Sequence, residues 1–242
     1  MRIEIVDAQD FARRAADLVI DAVRRKSDAV LGLPTGSTPL GMYEELARRA
    51  AASEIDFSRA TAFAIDELHG VPRDHPATNA SYLARALAGI PLRALHVMDS
   101  AAPDPGTECA RFAAMLHAAG GLDLAVLGIG RNGHIAFNEP GSAFDSRTRR
   151  VRLEDSTREP YVGYFGSLDA TPAFGLTIGM AELLAARELL LLVTSASKAA
   201  IVARALEGAI SEDVPASALQ RHTNATVLLD RAAAAELHHA AS

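Results

Sequence analysis

The amino-acid sequence predicts an α/β fold in which a doubly wound, mainly parallel sheet is flanked by helices. Short apolar runs with strand character alternate along the chain with amphipathic stretches of helical period. Polar, glycine-containing segments follow the apolar runs, as expected where parallel strands end and their loops gather. With 242 residues, 49% of them hydrophobic, the chain can bury a substantial core. We therefore expect one domain over residues 1–242.

Seven short apolar runs are predicted as the strands of this sheet. Each is bounded by polar or glycine-containing sequence, and most are apolar throughout, which is typical of strands buried on both faces. They lie at residues 3–6, 29–33, 60–64, 95–98, 124–128, 189–193 and 225–229.

Amphipathic stretches between these runs predict the helices. In residues 8–26, Phe11, Ala15 and Val19 recur every four residues, with charged residues between them, so one face is expected to be buried. Similar reasoning predicts helices at residues 39–52, 79–88, 105–119, 180–186, 197–207 and 231–239.

Residues 153–176 are the least regular part of the chain. They contain Pro160 and Pro172 and show no clear period. We predict a mobile lid over a ligand site, with an irregular loop as the alternative.

Composition and charge exclude several classes of protein. The formal net charge of -6 offers no general basic field for nucleic acid. The single cysteine, Cys109, cannot form an internal disulfide and is expected to pack in a helix, which fits a reducing cytosol. No apolar run reaches membrane-spanning length, and the amino terminus does not have the pattern of a signal peptide. We expect a cytoplasmic protein with neither a nucleic-acid nor a membrane partner.

The loop after the second predicted strand is a candidate phosphate site. It reads Leu-Pro-Thr-Gly-Ser-Thr-Pro over residues 33–39, and Pro39 suits the first position of a helix. Backbone N–H groups at a helix start bind phosphate, helped here by nearby hydroxyls. The candidate residues are Thr35, Gly36, Ser37 and Thr38. The alternative is an ordinary Ser or Thr N-cap.

Two adjacent carboxylates, Asp66 and Glu67, follow the third predicted strand. A carboxylate that is partly desolvated at a strand end can gain the proton affinity needed to take a proton from carbon. A solvated turn or a helix cap is the alternative. His69 and His75 lie in the next loop without a matching cluster of metal ligands, so they are expected to be surface histidines.

The segment 128–140 is the richest in polar groups and reads Gly-Ile-Gly-Arg-Asn-Gly-His-Ile-Ala-Phe-Asn-Glu-Pro. Histidine titrates near neutrality, and Glu139 can orient the His134 ring if the loop folds back. A loop with a structural histidine is the alternative. A dinucleotide site is disfavoured because the glycines open no amphipathic helix. The candidate residues are Gly130, Asn132, Gly133, His134 and Glu139.

Lys198 follows the sixth predicted strand and can supply a point charge to phosphate. A solvated lysine is the alternative, although a cation in a first helical turn opposes the helix dipole.

Taken in order, these segments resemble the glucosamine-6-phosphate deaminase family, also called the glucosamine-6-phosphate isomerase family. The matching elements are residues 31–39, Asp66 and Glu67 with residues 71–76, residues 128–140, Ser197 with Lys198, and residues 215–222. They cover nearly the whole chain, and Gly-His-Ile-Ala-Phe-Asn-Glu-Pro is highly specific. The family has a Rossmann-like fold, which it shares with 6-phosphogluconolactonase.

The resemblance implies conversion of glucosamine 6-phosphate and water to fructose 6-phosphate and ammonia, without a metal or organic cofactor. By position, His134 opens the pyranose ring, Glu139 holds and tunes it, and Asp66 moves a proton between C2 and C1. The phosphate is expected to contact Ser37, Thr38 and Lys198, with further ligand contacts from Thr35, Gly36, Glu67, Gly130 and Gly133.

This chain departs from the family pattern in two places. Asn132 stands where many members have an aspartate that also contacts the histidine. The lid of the family carries an arginine ahead of two aromatics, whereas residues 161–165 here read Tyr-Val-Gly-Tyr-Phe, and Arg158 lies about a helical turn away. Galactosamine 6-phosphate is therefore an alternative substrate. The carboxyl tail of allosteric, hexameric members is absent, which predicts a monomer or homodimer.

Two other functions are alternatives to the deaminase hypothesis. A 6-phosphogluconolactonase is expected to have Asp-Gly-His-Thr and no following Asn-Glu-Pro, so Ile135 and Glu139 argue against it. A non-catalytic sugar-phosphate-binding protein, such as the effector domain of a repressor, needs a DNA-binding module. The strand predicted at residues 3–6 leaves no room for one at the amino terminus.

Overall fold

The computed structural model describes residues 1–238, and a seven-stranded sheet forms its centre. The ten strands of the described chain are β1 (Arg2–Val6), β2 (Val30–Leu33), β3 (Thr61–Ala64), β4 (Asp66–Leu68), β5 (Ala94–His96), β6 (Leu124–Gly128), β7 (Arg149–Arg152), β8 (Phe174–Thr177), β9 (Glu188–Val193) and β10 (Ala225–Asp230).

Eight α-helices and three short 3-10 helices accompany these strands within residues 1–238. The α-helices are α1 (Ala8–Arg25), α2 (Leu40–Ala51), α3 (Asn79–Ala86), α4 (Pro105–Ala118), α5 (Asp155–Arg158), α6 (Val162–Phe165), α7 (Met180–Leu184) and α8 (Ala199–Glu207). The 3-10 helices are Glu159–Tyr161, Ala196–Lys198 and Pro215–Arg221.

The large sheet has the strand order β1-β10-β9-β6-β2-β3-β5, and all its neighbouring strands are parallel. Its members are the seven strands predicted from the sequence. From β2 the chain moves outward through β3 and β5, then returns to the other side of β2 at β6 and moves outward again through β9 and β10. The point where the strand order reverses lies between β2 and β6, the position at which doubly wound sheets form a ligand crevice.

Helices cover both faces of the large sheet, so its strands are buried on both sides. In β9, Leu189, Leu191 and Val193 face the core beneath α4, α7 and α8, while Leu190 and Leu192 face the core beneath α1 and α2. Successive side chains of a strand point to opposite faces, which is why this strand reads as a continuous apolar run. Cys109 is buried in α4, in agreement with its predicted packing role.

A second, three-stranded antiparallel sheet, in the order β4-β8-β7, was not predicted. It pairs Asp66 with Thr177, so the adjacent carboxylates lie in a strand rather than in the predicted loop. The strand β7 reads Arg-Arg-Val-Arg, and β4 has three residues, two of them acidic. Neither gives a strand signal without its partner.

The segment 153–176 is more ordered than predicted. It contains α5, the 3-10 helix Glu159–Tyr161 and α6, and it ends within β8. These are single helical turns, too short to produce a hydrophobic period.

The helix predicted at residues 231–239 is wrong for the part that the structure describes. Residues 231–236 form turns, and residue 239 lies outside the described chain. Asp230 Oδ1 accepts from the backbone N–H of Ala233 at 2.6 Å, which holds a turn after β10.

The helix predicted at residues 197–207 begins two residues later than expected. Ser197 belongs to a 3-10 turn, and α8 begins at Ala199. Within residues 1–238, no helix is both long and apolar enough to cross a membrane.

Candidate active site

A cleft of about 860 Å³ opens at the carboxyl ends of the large sheet, where the strand order reverses between β2 and β6. It is lined by the loops that follow these two strands, by the start of β4, by the loop before α3, by residues of the 153–176 segment and by the loop after β9. Segments that are distant in sequence therefore meet around one cavity.

The loop after β2 lies along one side of the cleft in a fixed conformation. Gly36 has φ of 101°, a value that favours glycine, and its carbonyl accepts from the Tyr82 hydroxyl at 2.6 Å. The Tyr43 hydroxyl donates to the Pro34 carbonyl at 2.7 Å. The four predicted phosphate ligands all line the cleft, namely Thr35, Gly36, Ser37 and Thr38.

The hydroxyls of this loop do not cap α2. Pro39 occupies the N-cap position, with no side-chain cap, and the helix begins at Leu40, one position after the predicted start. Ser37 is exposed, and Thr38 Oγ1 lies 3.4 Å from Thr194 Oγ1 across the cleft. The capping alternative is thus not what the structure shows. The uncapped start of α2 presents the positive end of a helix dipole.

Two cationic side chains line the cleft within the described chain, Lys198 and Arg131. Lys198 Nζ donates to the carbonyl of Ile129 at 2.8 Å, and its pKa is lowered by burial and by the charge of Arg131. The Arg131 side chain is 69% exposed and lies 3.8 Å from Glu159 Oε2. An anion between the two cations would relieve their mutual repulsion. Arg131 was not among the predicted site residues.

Arg158 does not replace the missing lid arginine. Its buried guanidinium donates to the carbonyl oxygens of Leu168 at 2.5 Å, Thr171 at 2.7 Å and Pro172 at 3.2 Å, and pairs with Asp155. These bonds fold the 153–176 segment onto itself, and Arg158 is not among the residues that line the cleft.

Asp66 lines the cleft at the first position of β4. The residue is 8% exposed, and burial, together with the neighbouring charge of Glu67, raises the pKa of its carboxyl to about 7. A hydrogen bond from Asn79 Nδ2 at 2.5 Å acts in the opposite direction. The carboxyl can therefore exchange a proton near neutral pH.

Glu67 is placed differently from the prediction that it contacts the ligand. The residue is fully buried, does not line the cleft, and accepts hydrogen bonds at 2.8 Å from the backbone N–H groups of Leu68, Asn79 and Ala80. Burial raises the pKa of its carboxyl to about 7 despite these bonds. Its visible role is to hold the start of α3 against β4, which is close to the capping alternative.

His134 lines the cleft opposite the loop after β2 and is held by three neighbours. Its Nδ1 lies 3.4 Å from Glu139 Oε2 and 3.1 Å from Thr157 Oγ1. Its ring lies over Gly130, where a Cβ would be only 2.2 Å from the His134 Cε1 atom. Gly130 therefore contributes by leaving room for the ring.

The carboxylate of Glu139 is the centre of this cluster. Burial raises its pKa, but hydrogen bonds from His134, Thr157 and Asn132, together with the charge interaction with His134, outweigh burial, so the pKa is lower than usual. Asn132 Nδ2 donates to Glu139 Oε2 at 2.8 Å, while its Oδ1 accepts from the backbone N–H of His134 at 3.2 Å. Asn132 thus orients the carboxylate and the loop, and its hydrogen bonds reach the backbone of His134 rather than the imidazole.

Gly133 also has a structural position rather than the predicted ligand contact. Its φ is 94°, and a Cβ there would lie 2.9 Å from Val214 Cγ1. It is not among the cleft-lining residues. Close packing of the loop against Val214 and Ile201 explains the glycine.

The histidines of the loop after β4 have no visible role in the cleft. His69 Nε2 lies 3.1 Å from the Ala102 carbonyl, and the His75 ring stacks on Phe165. No three metal-ligating side chains lie together in the part of the chain that the structure describes.

Several cleft residues carried no signal in the sequence. Thr157 and Tyr161 come from the segment without a period, and Asn79 occupies the first turn of α3. The Tyr161 hydroxyl lies 3.3 Å from Asn79 Oδ1. Such contacts join residues far apart in sequence, so they become visible only in the fold.

The fold and the cleft define a class of protein, a doubly wound α/β enzyme whose cleft brings together a buried carboxyl of raised pKa, a histidine paired with a carboxylate, and two cationic side chains. A family model described as glucosamine-6-phosphate isomerases/6-phosphogluconolactonase matches residues 6–228. The chain therefore belongs to the glucosamine-6-phosphate isomerase/6-phosphogluconolactonase family.

Curated relatives match over almost the full length. The glucosamine-6-phosphate deaminase of Pseudarthrobacter chlorophenolicus is 44% identical over 233 residues, which cover 95% of this chain and 90% of that protein. Glucosamine-6-phosphate deaminase 1 of Bacillus subtilis is 40% identical over 230 residues, covering 93% of this chain and 95% of that protein.

Solved structures give the same picture. A structure described as a monomeric glucosamine-6-phosphate deaminase superposes with a TM-score of 0.93 at 39% identity, covering 98% of this chain and 100% of that one. The 6-phosphogluconolactonase of Leishmania guyanensis has a TM-score of 0.76 at 18% identity, covering 100% and 99%. The second similarity shows a shared fold.

Proposed function

We propose that this protein is a glucosamine-6-phosphate deaminase that converts glucosamine 6-phosphate and water to fructose 6-phosphate and ammonia. The observation that carries the proposal is the shared cleft. Asp66, with its raised pKa, lines the same cavity as His134 and the two cations, Lys198 and Arg131. Family membership and the relatives at about 40% identity support the same reaction.

The phosphate of the substrate binds between the loop after β2 and the two cations. Hydroxyls of Ser37 and Thr38, the start of α2, and the charges of Lys198 and Arg131 face this part of the cleft. Helix starts and Lys or Arg side chains are the groups that proteins use for phosphate. Fixing the phosphate places the sugar carbons near the carboxylate and the imidazole.

His134 opens the pyranose ring. Opening a hemiacetal requires removal of the O1 proton and delivery of a proton to the ring oxygen as the bond from C1 to that oxygen breaks. An imidazole performs both transfers in turn. Glu139, ionised at neutral pH because its pKa is lowered, stabilises the charged ring between the two transfers.

Asp66 performs the isomerisation. Its carboxylate takes the C2 proton of the open-chain aldehyde, the C1–C2 double bond forms, and the carbonyl oxygen is protonated to give an enolamine. Return of a proton to C1 produces a protonated imine, in which C2 is doubly bonded to nitrogen. Water adds to that imine, ammonia leaves, and the ketose remains. A carboxyl with a pKa of about 7 is suited to accepting and returning the proton.

A second candidate substrate is galactosamine 6-phosphate, which differs in configuration at C4. The structural reason is the lid: Arg158 is bound to backbone carbonyls, so no arginine from the described lid residues lines the cleft. Selection between the two configurations at C4 then depends on other residues that line the cleft, including Tyr161 and Tyr164.

Residues 153–176 serve as the lid of a single domain over residues 1–242. Three of the lid residues lining the cleft are Thr157, Tyr161 and Tyr164, and the Tyr164 side chain is 52% exposed. Closure over the sugar would bury Tyr164 and exclude water during proton transfer.

The same proposal includes a monomer or homodimer in the cytoplasm, with no membrane or nucleic-acid partner. Among the described residues, the large exposed hydrophobic side chains are Met1, Leu40 and Tyr164, and the latter two line the cleft. Few large apolar side chains of the described residues are thus exposed outside the cleft, which favours the monomer over a stable dimer. Light scattering after gel filtration measures the assembly, and cell fractionation measures the location.

The function is tested by incubating the purified protein with glucosamine 6-phosphate, galactosamine 6-phosphate and 6-phosphogluconolactone. Release of ammonia and formation of ketose phosphate are followed for the amino sugars, and lactone loss for the third compound. We expect ammonia from glucosamine 6-phosphate. No ammonia from either amino sugar would refute the proposal, and fast lactone loss alone would assign the sister activity.

A further inference from the structure

Asn79 contacts both buried carboxylates of β4. Its Nδ2 donates to Asp66 Oδ1 at 2.5 Å and to the Asp66 carbonyl oxygen at 3.1 Å, and its backbone N–H donates to Glu67 Oε1 at 2.8 Å. Asn79 is 2% exposed and lines the cleft. Within residues 1–238, its amide makes the hydrogen bond that reaches the Asp66 carboxylate, and no such bond reaches Oδ2.

Two hydroxyls fix the orientation of the Asn79 amide from the other side. Thr35 Oγ1 lies 3.2 Å and the Tyr161 hydroxyl 3.3 Å from Asn79 Oδ1. A flipped amide would direct its oxygen at two acceptors of Asp66, which is unfavourable. Burial raises the pKa of Tyr161 well above its usual range, so its hydroxyl remains protonated and can donate. Both ends of the amide are thus engaged.

We propose that Asn79 is a positioning residue for Asp66, and that Tyr161 and Thr35 act on the base through Asn79. This inference rests on the proposed function and assigns a task to each carboxylate oxygen. Oδ1 is held by the amide, and Oδ2 is the atom that takes the C2 proton. Because Tyr161 belongs to the lid, the chain from Tyr161 through Asn79 to Asp66 joins the lid to the base.

The charges around Asp66 define what loss of the amide would do. Burial and the charge of Glu67 raise the pKa of Asp66, and the hydrogen bond from Asn79 lowers it. The titratable groups that interact with Asp66 from neighbouring elements are Tyr43 of α2 and Tyr161 of the lid, and burial raises the pKa of both, so they remain neutral. Removing the amide leaves the repulsion by Glu67 unopposed, and Asp66 must then hold its proton to higher pH.

The test measures the pH dependence of kcat/KM for glucosamine 6-phosphate in Asn79→Ala, in Asn79→Asp, which keeps the side-chain size, and in Tyr161→Phe. In Asn79→Ala we expect the acid limb to move up by about one pH unit and kcat to fall by on the order of tenfold. KM should change less than about twofold, because the phosphate contacts are intact. Tyr161→Phe should shift the acid limb in the same direction by less.

Asn224→Ala is the matched control. Asn224 is exposed, lies just before β10, and donates to the carbonyl of Arg187. Its acid limb should equal that of the wild type. Tyr82→Phe removes a hydroxyl from the same cleft without touching Asn79, and should change KM rather than the acid limb. A purely structural role for Asn79 would lower thermal stability and leave the acid limb in place.

Titration of the Asp66 carboxyl by ¹³C NMR separates this inference from the proposed function, because it requires no turnover. We expect a higher Asp66 pKa in Asn79→Ala than in the wild type. If the wild type releases no ammonia and this shift is seen, the proposed function fails and the link between Asn79 and Asp66 stands. Unchanged Asp66 titration in both Asn79→Ala and Tyr161→Phe overturns the inference, and Tyr161→Phe alone decides if Asn79→Ala does not fold.

Discussion

Glu139 Oε2 lies 3.4 Å from Nδ1 of His134, and the imidazole lies directly over the backbone of Gly130. This relationship places a carboxylate of lowered pKa next to the ring of a histidine that lines the cleft. It is the arrangement that a proton-shuttling histidine needs, because the carboxylate stabilises the charged ring between accepting and returning a proton.

Replacement of His134 by Gln should lower kcat on the ring-closed substrate by on the order of a hundredfold, since general acid–base catalysis contributes about that much. The measurement is the rate of ammonia release from glucosamine 6-phosphate. His117→Gln, at an exposed position in α4, is the matched control and should behave like the wild type. Turnover that is unchanged in His134→Gln would remove the histidine from the mechanism.

Replacement of Asp66 by Asn should abolish deamination and stabilise the fold at alkaline pH. The folded-state pKa of Asp66 is raised to about 7 from an ordinary value of 3.8. The carboxyl of Asp66 therefore contributes its full stability only at a pH below its pKa in the unfolded protein. That contribution is lost as the pH rises through its folded-state pKa of about 7. At pH 8 the ionised, buried carboxylate costs stability, so the variant should gain roughly 1 kcal/mol or more there and little at pH 4.

Denaturant unfolding at the two pH values measures this difference. Asp123→Asn is the control of opposite sign: burial raises the pKa of Asp123, but Lys26, the Val30 N–H and Arg187 lower it overall. Its ionised form stabilises the fold, and its loss should destabilise the protein at neutral pH. Equal effects of Asp66→Asn at pH 4 and pH 8 would contradict the raised pKa.

Loss of either cleft cation should weaken phosphate binding. We expect KM for glucosamine 6-phosphate to rise by on the order of tenfold in Lys198→Ala, whose ammonium is partly buried, and by less in Arg131→Ala, whose side chain is 69% exposed. Inorganic phosphate should inhibit the wild type competitively and both variants more weakly. Arg2→Ala, on the edge strand β1 and absent from the cleft lining, serves as the control. Unchanged KM in both cation variants would place the phosphate elsewhere.

Introduction of an arginine at residue 163, ahead of Tyr164 and Phe165, should tighten phosphate binding. A Cβ at Gly163 would meet no atom within 4 Å, so the backbone there has room for a side chain to begin. We expect KM to fall severalfold, because a further cation enters the region of the lid. Gly163→Ala separates the effect of charge from that of a stiffer backbone. If Gly163→Arg binds inorganic phosphate no better than Gly163→Ala, the lid does not reach the phosphate.

The large sheet could be predicted from the sequence because its strands are buried on both faces. Runs such as residues 189–193 are apolar throughout, and that signal is local. The small sheet could not be predicted, because β7 is charged and β4 has three residues. The alanine-rich pattern predicted a helix at residues 231–239, and residues 231–236 form turns instead, since alanine favours helices but cannot alone extend one from a turn held by Asp230.

The candidate site divides in the same way. The sequence located the loop after β2, Asp66, His134 and Lys198, because each follows a strand and the carboxyl ends of parallel strands meet at one edge. It did not reveal that Glu67 faces α3 instead of the cleft, or that Gly133 packs on Val214.

Local sequence was enough to predict the doubly wound sheet, the family and a candidate site at the carboxyl ends of the strands, since hydrophobic period and motif order are properties of neighbouring residues. Only the folded chain shows which residue from outside the segment 128–140 contacts His134. Thr157, 23 positions away, lies within hydrogen-bond distance of the His134 ring. The tertiary structure also decided that Asn79, 13 positions from Asp66, holds one carboxylate oxygen, while Tyr161, 82 positions further on, holds Asn79. The direction of a side chain depends on hydrogen-bond partners that only folding brings within reach.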